Sequence, residues 1–170
     1  MGLINLLLAQ EYGARRVIGA DMVKFRLNKA LEYGADAVID VSVESLRDGL
    51  REITGGDMAE LVIVGPNSAE VMMQGLECVR PGGKVLFFTP ARPGEKLILD
   101  PNRLYFNDIN IITSYSCGPT DTADALEFIE KGVISADKLI THRFPIEKTD
   151  EAFRLTSRAE NSLKAVITFD

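Results

Sequence analysis

Apolar residues fall into short continuous runs, and these alternate with stretches of helical spacing from residue 3 to about residue 115. Leu3, Leu6 and Leu7, with Ile4 and Leu8 between them, predict a helix apolar nearly all round and therefore buried, with Gly13 as its C-terminal cap. Arg16 to Ala20 then reads as a strand stopped by Asp21, followed by a helix carrying Leu27, Ala30 and Leu31 and ended by Gly34. Ala37 to Asp40 is the next strand. Ser42 is placed to cap a helix on which Leu46, Leu50 and Ile53 share a face, and Gly55-Gly56 closes it. Leu61 to Val64 follows as a strand, and Ser68 then caps a helix with Val71, Met72, Gly75, Leu76 and Val79 on one side. The turn Pro81-Gly82-Gly83 leads into a strand from Lys84 to Thr89, and a last strand lies within Ile109 to Tyr115.

Strands that are apolar on both faces and alternate with helices belong to a parallel sheet covered on both sides. The fold class expected is α/β, a doubly wound parallel sheet over residues 1–115, with residues 116–170 as an appendage. In that appendage the rhythm breaks. A helix from about Thr120 to Lys131, a linker through His142 and Pro145, a helix around Glu151 to Thr156 and a strand from Ala165 to Phe169 are expected. The chain carries no internal repeat and no low-complexity segment.

Composition narrows the function classes. A hydrophobic content of 46% and a charged content of 26% are those of an ordinary globular protein. The net charge of −6, with no basic cluster denser than Arg15-Arg16, leaves no agent for electrostatic capture of nucleic acid or anionic lipid. No apolar run reaches the ~18 residues of a membrane span, and the N-terminus lacks the basic segment of a secretory signal, so a cytoplasmic protein is expected. Cys78, Cys117 and the single histidine, His142, are too scattered for a tetrahedral zinc site, and no metal is expected on this chain.

In dinucleotide-binding βαβ units a glycine turn is followed roughly 20 residues on by an acidic residue that ends the second strand and bonds the ribose hydroxyls. Gly2 and Asp21 stand at about that spacing. A carboxylate there accepts from two hydroxyls and repels a 2′-phosphate, which predicts NAD rather than NADP. An aspartate before a helix is equally a cap, here for the helix of Leu27 and Leu31, and the two readings stand level.

The run from Gly2-Leu3-Ile4 to Asp21, the phrase Leu31-Glu32-Tyr33-Gly34-Ala35-Asp36, the turn Arg80-Pro81-Gly82-Gly83 and the stretch Leu139 to Pro145 resemble the zinc-containing medium-chain alcohol dehydrogenases. Asp100 to Phe106 and Ser114-Tyr115-Ser116 resemble the polyol and threonine dehydrogenase branch of that family. The resemblance spans the whole chain and implies a Rossmann-type NAD-binding domain. It implies that Gly2 is the last glycine of the G-x-G-x-x-G turn, that Asp21 holds the ribose, and that Arg26 sits near the adenosine ribose. Val64 and Gly65, then Phe88 and Thr89, would line the nicotinamide site, with the backbone of Ser114, Tyr115 and Ser116 closing it. No catalytic residue is carried over, because the family's zinc ligands belong to a catalytic domain that these residues do not contain.

The resemblance also implies that the first Rossmann strand and the first two glycines of the motif are lacking, which would leave two unpaired inner strand edges. The tail strand Ala165 to Phe169, or a second copy of the chain, is expected to cover them. Residues 116–170 correspond to a segment that in the family returns to the catalytic domain, so a missing catalytic domain or subunit is an expected partner. A homodimer through the last Rossmann strand, around Ile109 to Ile112, is expected as well. His142 lies in what reads as a structural linker and is not assigned a proton-shuttle role; Cys117 is read as inert and Cys78 as core. The function expected is the cofactor half of an NAD-dependent dehydrogenase acting on a secondary alcohol or polyol, inactive alone. Set against it are a non-enzymatic remnant or nucleotide-binding module, a zinc-independent quinone reductase of the same superfamily, and an S-adenosylmethionine methyltransferase.

Overall fold

The computed structural model describes residues 1–158 and 160–169. Its strands form three separate all-parallel sheets, ordered β1-β2, β3-β4-β5 and β6-β7. The chain divides into two compact units, one of Met1–Asn5 with Val43–Cys117, the other of Leu6–Ser42 with the residues from Gly118 onward. No helix among the described residues is long and apolar enough to cross a membrane.

In the first unit, β3 (Ala59–Val64), β4 (Val79–Phe87) and β5 (Asn110–Thr113) lie side by side with β4 in the middle. Val85, third from the end of β4, has no exposed surface, and Val64, Met72, Leu76 and Val79 complete the core around it. α4 (Ala69–Glu77) supplies the crossover that parallel pairing of β3 with β4 requires, and α3 (Leu46–Thr54) precedes β3. Ser45, not Ser42, caps α3, because its hydroxyl lies three residues before the amide of Asp48 and accepts from it at 3.4 Å. α5 (Pro101–Phe106) adds a helix absent from the expectation, started by Asp100, whose carboxylate accepts from the Asn102 amide at 2.9 Å. Gly82 has φ +75°, a left-handed value suited to the expected turn, and β4 shifts register against β3 at that point.

α4 packs closely on the sheet at Gly75. A Cβ there would stand 2.5 Å from Val64 Cγ2, a side chain itself buried in the core and unable to withdraw.

In the second unit, β1 (Ile18–Asp21) and β2 (Ala37–Asp40) pair in parallel and are crossed by α2 (Lys24–Glu32). Ile39 is almost wholly buried, with Leu27 and Ala30 of α2. Gly19 lets the helix come close, since a Cβ there would lie 3.3 Å from Ala30 Cβ. Val17 and Asp36 exchange two hydrogen bonds, at 2.7 and 2.9 Å, that start the β1–β2 ladder. In α1 (Gly2–Glu11) only Leu6 is fully buried, where burial all round was expected.

The same unit holds α6 (Pro119–Glu130), α7 (Ala136–Leu139), β6 (Ile140–Pro145), α8 (Thr149–Arg158) and β7 (Lys164–Thr168). The stretch through His142 and Pro145, expected as a linker, is thus a strand. Where β6 and β7 shift register, the Thr141 hydroxyl accepts from the Leu163 amide at 3.1 Å and donates to the Lys164 carbonyl at 3.3 Å, so a side chain stands in for a ladder bond. His142 and Phe144, two residues apart and so on one face, stack with ring centroids 6.2 Å apart. The expectation that the tail strand of this chain fills an open inner edge is overturned, because β7 pairs with β6. That pairing satisfies its backbone locally, next to a helix that follows β6 in sequence.

Gly75→Ala sets a helix-propensity gain of about 1 kcal/mol against overpacking of about 1–3 kcal/mol. Packing prevails, and urea unfolding should show a net loss of about 1 kcal/mol; an unchanged or raised midpoint contradicts this account of the α4 contact.

Candidate functional site

Parallel pairing brings strand C-termini to one end of a sheet, and the candidate residues gather at such ends. In the β1–β2 sheet, Asp21 and Asp40 are register partners on the last rung. Asp21 Oδ1 accepts from the Val23 amide at 3.0 Å, and its Oδ2 lies 3.4 Å from Arg26 Nη1. Both side chains are partly open, at 29% for Asp21 and 36% for Arg26. The amide that Asp21 engages precedes α2, at the N-cap residue Val23, so its carboxylate shapes the approach to the helix and does not cap its first turn. Asp40 Oδ1 accepts from both the amide and the hydroxyl of Ser42, and these two bonds hold its carboxyl below the usual aspartate range.

In the three-stranded sheet, the ladder runs one residue past the strands. The Phe88 amide donates to the Val64 carbonyl at 3.0 Å, and the Ser114 amide to the Phe87 carbonyl at 3.2 Å. The Thr89 hydroxyl donates to the Gly65 carbonyl at 2.7 Å. Val64 is buried, Phe88 and Thr89 half-buried, and Gly65, Ser114, Tyr115 and Ser116 exposed. Ser116 is held at φ +59°, a left-handed value uncommon outside glycine, where the chain turns away from β5. Val64, Gly65, Phe88, Thr89 and Ser114 to Ser116 thus sit on neighbouring strand ends of one sheet.

Gly2 opens α1, and a Cβ built on it would meet nothing within 4 Å. Cys78 is buried, and burial raises its thiol pKa to about 11, which leaves it protonated and unreactive at neutral pH. Cys117 is exposed, and His142 Nδ1 lies 3.0 Å from the Thr141 hydroxyl. Among the described residues, no three of His, Cys, Asp or Glu come together as a metal site.

The sequence reading missed Ser42 as the partner of Asp40, although the Asp-x-Ser spacing signals such a turn. It also missed Glu95, whose carboxylate accepts from the Ala69 amide at 2.9 Å. Their separation in sequence leaves no local signal for that contact.

Because the folded carboxyl pKa of Asp40 lies below its unfolded value, its contact with Ser42 stabilises the fold above the ordinary aspartate range. The contribution disappears as the pH falls through the lowered value. A carboxyl-carbon NMR titration should find Asp40 below a typical aspartate in the native chain and shifted part of the way back in Ser42→Ala, which loses the hydroxyl bond and keeps the amide bond; identical midpoints in the two proteins contradict the assignment.

Known proteins with similar sequences and folds bear on this geometry. The chain aligns along its full length with sorbitol dehydrogenase of Ovis aries at 30% identity, covering 48% of that protein. It aligns over 90% of its length with L-threonine 3-dehydrogenase of Marinomonas sp. at 30% identity, covering 44% of that protein. The chain therefore spans about half the length of these curated relatives. Among solved structures, an alcohol dehydrogenase from Thermus sp. ATN1 superposes with a TM-score of 0.90 at 21% identity, over 99% of this chain and 48% of that one. Benzyl alcohol dehydrogenase from Acinetobacter calcoaceticus gives 0.89 at 24%, over 99% and 47%. These two likenesses establish the fold, a Rossmann-type α/β arrangement. The family model for zinc-binding dehydrogenases matches residues 1–131, and this chain belongs to the zinc-binding dehydrogenase family.

Proposed function

We propose that this chain forms the NAD-holding half of a dehydrogenase that transfers hydride between NAD and a secondary alcohol or polyol. The observation that carries the reading is the Asp21 carboxylate, partly exposed at the C-terminal end of β1, where dinucleotide-binding sheets take the ribose. A carboxylate offers about four lone-pair directions, and the Val23 amide and Arg26 engage one on each oxygen. Acceptor capacity remains for two ribose hydroxyls. Arg26 would lie beside that ribose, and Gly2 would admit close approach of the pyrophosphate, in keeping with the open space around it. Val64, Gly65, Phe88 and Thr89 would line the nicotinamide, and the backbone of Ser114, Tyr115 and Ser116 would close that side. Bound there, NAD supplies the hydride acceptor.

The family's name implies zinc, and the described residues do not fit it, with no three candidate ligands together. No step is therefore assigned to a metal on this chain. Polarising a carbonyl oxygen would fall to residues outside these 170, in a catalytic domain or a separate subunit, and the chain alone would hold cofactor without turning over substrate. β5 is the outer strand of its sheet, with Ile112 on it 42% exposed, and we propose that a second copy pairs along that edge.

Calorimetry tests the cofactor reading. NADH should bind in preference to NADPH, and Asp21→Ala should weaken NADH by about a hundredfold or more, the loss expected for two hydrogen bonds to a charged acceptor. A folded sample that binds neither nucleotide defeats the proposal. Light scattering tests the pairing separately: a dimer mass for the native chain and a monomer mass for Ile112→Lys are expected, and a monomer mass for both removes the β5 interface.

A further inference from the structure

Residues 88–100, between β4 and α5, form the longest stretch of the Val43–Cys117 unit without helix or strand. Long structureless connections in compact domains are usually functional or disordered, and this one is tied down at two points. Near its start, the Thr89 hydroxyl donates to the Gly65 carbonyl at 2.7 Å. Further along, Glu95 Oε2 accepts from the amide of Ala69, the first residue of α4, at 2.9 Å. The two ties flank one short connection, with Gly65 at its start and Ala69 immediately past its end. Between them the chain reverses, with the Glu95 amide donating to the Arg92 carbonyl at 3.0 Å and Gly94 at φ +86°.

The Glu95 tie does more than end a helix. Ser68 occupies the N-cap position of α4, where a hydroxyl can accept from the first-turn amides at no cost in long-range order, yet it makes no such bond. A carboxylate from another connection takes that task instead, on the positive end of the helix where negative charge is favoured. The consequence of the exchange is a tether between the β3–α4 and β4–α5 connections.

We propose that Glu95 is a positioning residue for the nicotinamide side of the cofactor site, acting with the Thr89 hydroxyl to hold Phe88 and Thr89 at a fixed distance from Gly65. This rests on the NAD reading above. Glu95 itself touches no cofactor; it fixes the connection that carries the residues which do. With the tether cut, the chain keeps its core, but the lip at Gly65 and Thr89 loses its single geometry.

The test is calorimetry on the native chain and on Glu95→Ala, Glu95→Gln and Thr89→Val, each titrated with NADH and with ADP-ribose, which lacks the nicotinamide. Glu95→Ala and Thr89→Val should weaken NADH by about threefold to tenfold, the scale of one lost hydrogen bond, while ADP-ribose affinity stays unchanged. Glu95→Gln keeps an acceptor and should keep native NADH affinity. NADH affinities equal to native in all variants overturn the proposal, as do parallel losses of NADH and ADP-ribose accompanied by a lower unfolding midpoint. Failure of the native chain to bind NADH defeats the NAD reading first, and the positioning role with it.

Discussion

Parallel pairing is the constraint on which this structure turns. Two parallel strands cannot be joined by a tight turn, so each pair needs a crossover that returns the chain to the starting end of the sheet. α2 makes that return between β1 and β2, and α4 makes it between β3 and β4. Strand C-termini then share one end, which is why Asp21 meets Asp40 on the last rung of one sheet and why the Val64, Phe87 and Thr113 ends are neighbours in the other. The crossovers also decide what lies inside. β4 is bonded on both sides, and its Val85, paired with Val62 and Ile111, is completely enclosed. Gly75 and Gly19 are points of close approach between α4 or α2 and the neighbouring strands, and a Cβ at either would press on a neighbour, at 2.5 Å from Val64 Cγ2 and 3.3 Å from Ala30 Cβ.

Much of this frame was legible in the sequence because its signal is local and redundant. The apolar runs at Ala37–Asp40 and Leu61–Val64 and the helical spacing around Leu46, Leu50 and Ile53 each determine their own element. Reading fails where a bond replaces a pattern. β6 is written Ile-Thr-His-Arg-Phe-Pro, too polar for a strand by composition, but its face of Ile140, His142 and Phe144 alternates correctly and the Thr141 hydroxyl supplies a bond missing from the ladder. The cap of α3 was misplaced by three residues because Ser42 and Ser45 are chemically identical candidates; Ser42 is already engaged with Asp40. The partner of β7 could not be read either. An apolar strand declares that it will be paired, not with which edge.

The candidate site divides along the same line. Asp21 and its neighbours on the strand ends follow from spacing and from family resemblance, since an acidic residue closing a strand is visible in one dimension. The tether of Glu95 to α4 is a contact between two connections, made by a glutamate with no motif around it, beside a serine that by local rules should have done its work.

Whether Asp21 can serve a ribose depends on how firmly Arg26 holds it. An exposed ion pair is worth about 0–1 kcal/mol, and both partners here are open to solvent with 3.4 Å between them. That is weaker than hydrogen bonds from two hydroxyls to a charged acceptor, at about 1.5–3 kcal/mol each. The ion pair therefore orients the carboxylate without consuming it, and the Val23 amide, fixed by the start of α2, does the same on the other oxygen. A 2′-phosphate would bring acceptors where Asp21 already presents acceptors, and could gain only from Arg26. Since Arg26 is shared with Asp21, that gain comes with the loss of the pair, and the balance favours a hydroxyl. On the proposed reading, discrimination between the two nucleotides would lie in the order of two weak contacts around one carboxylate.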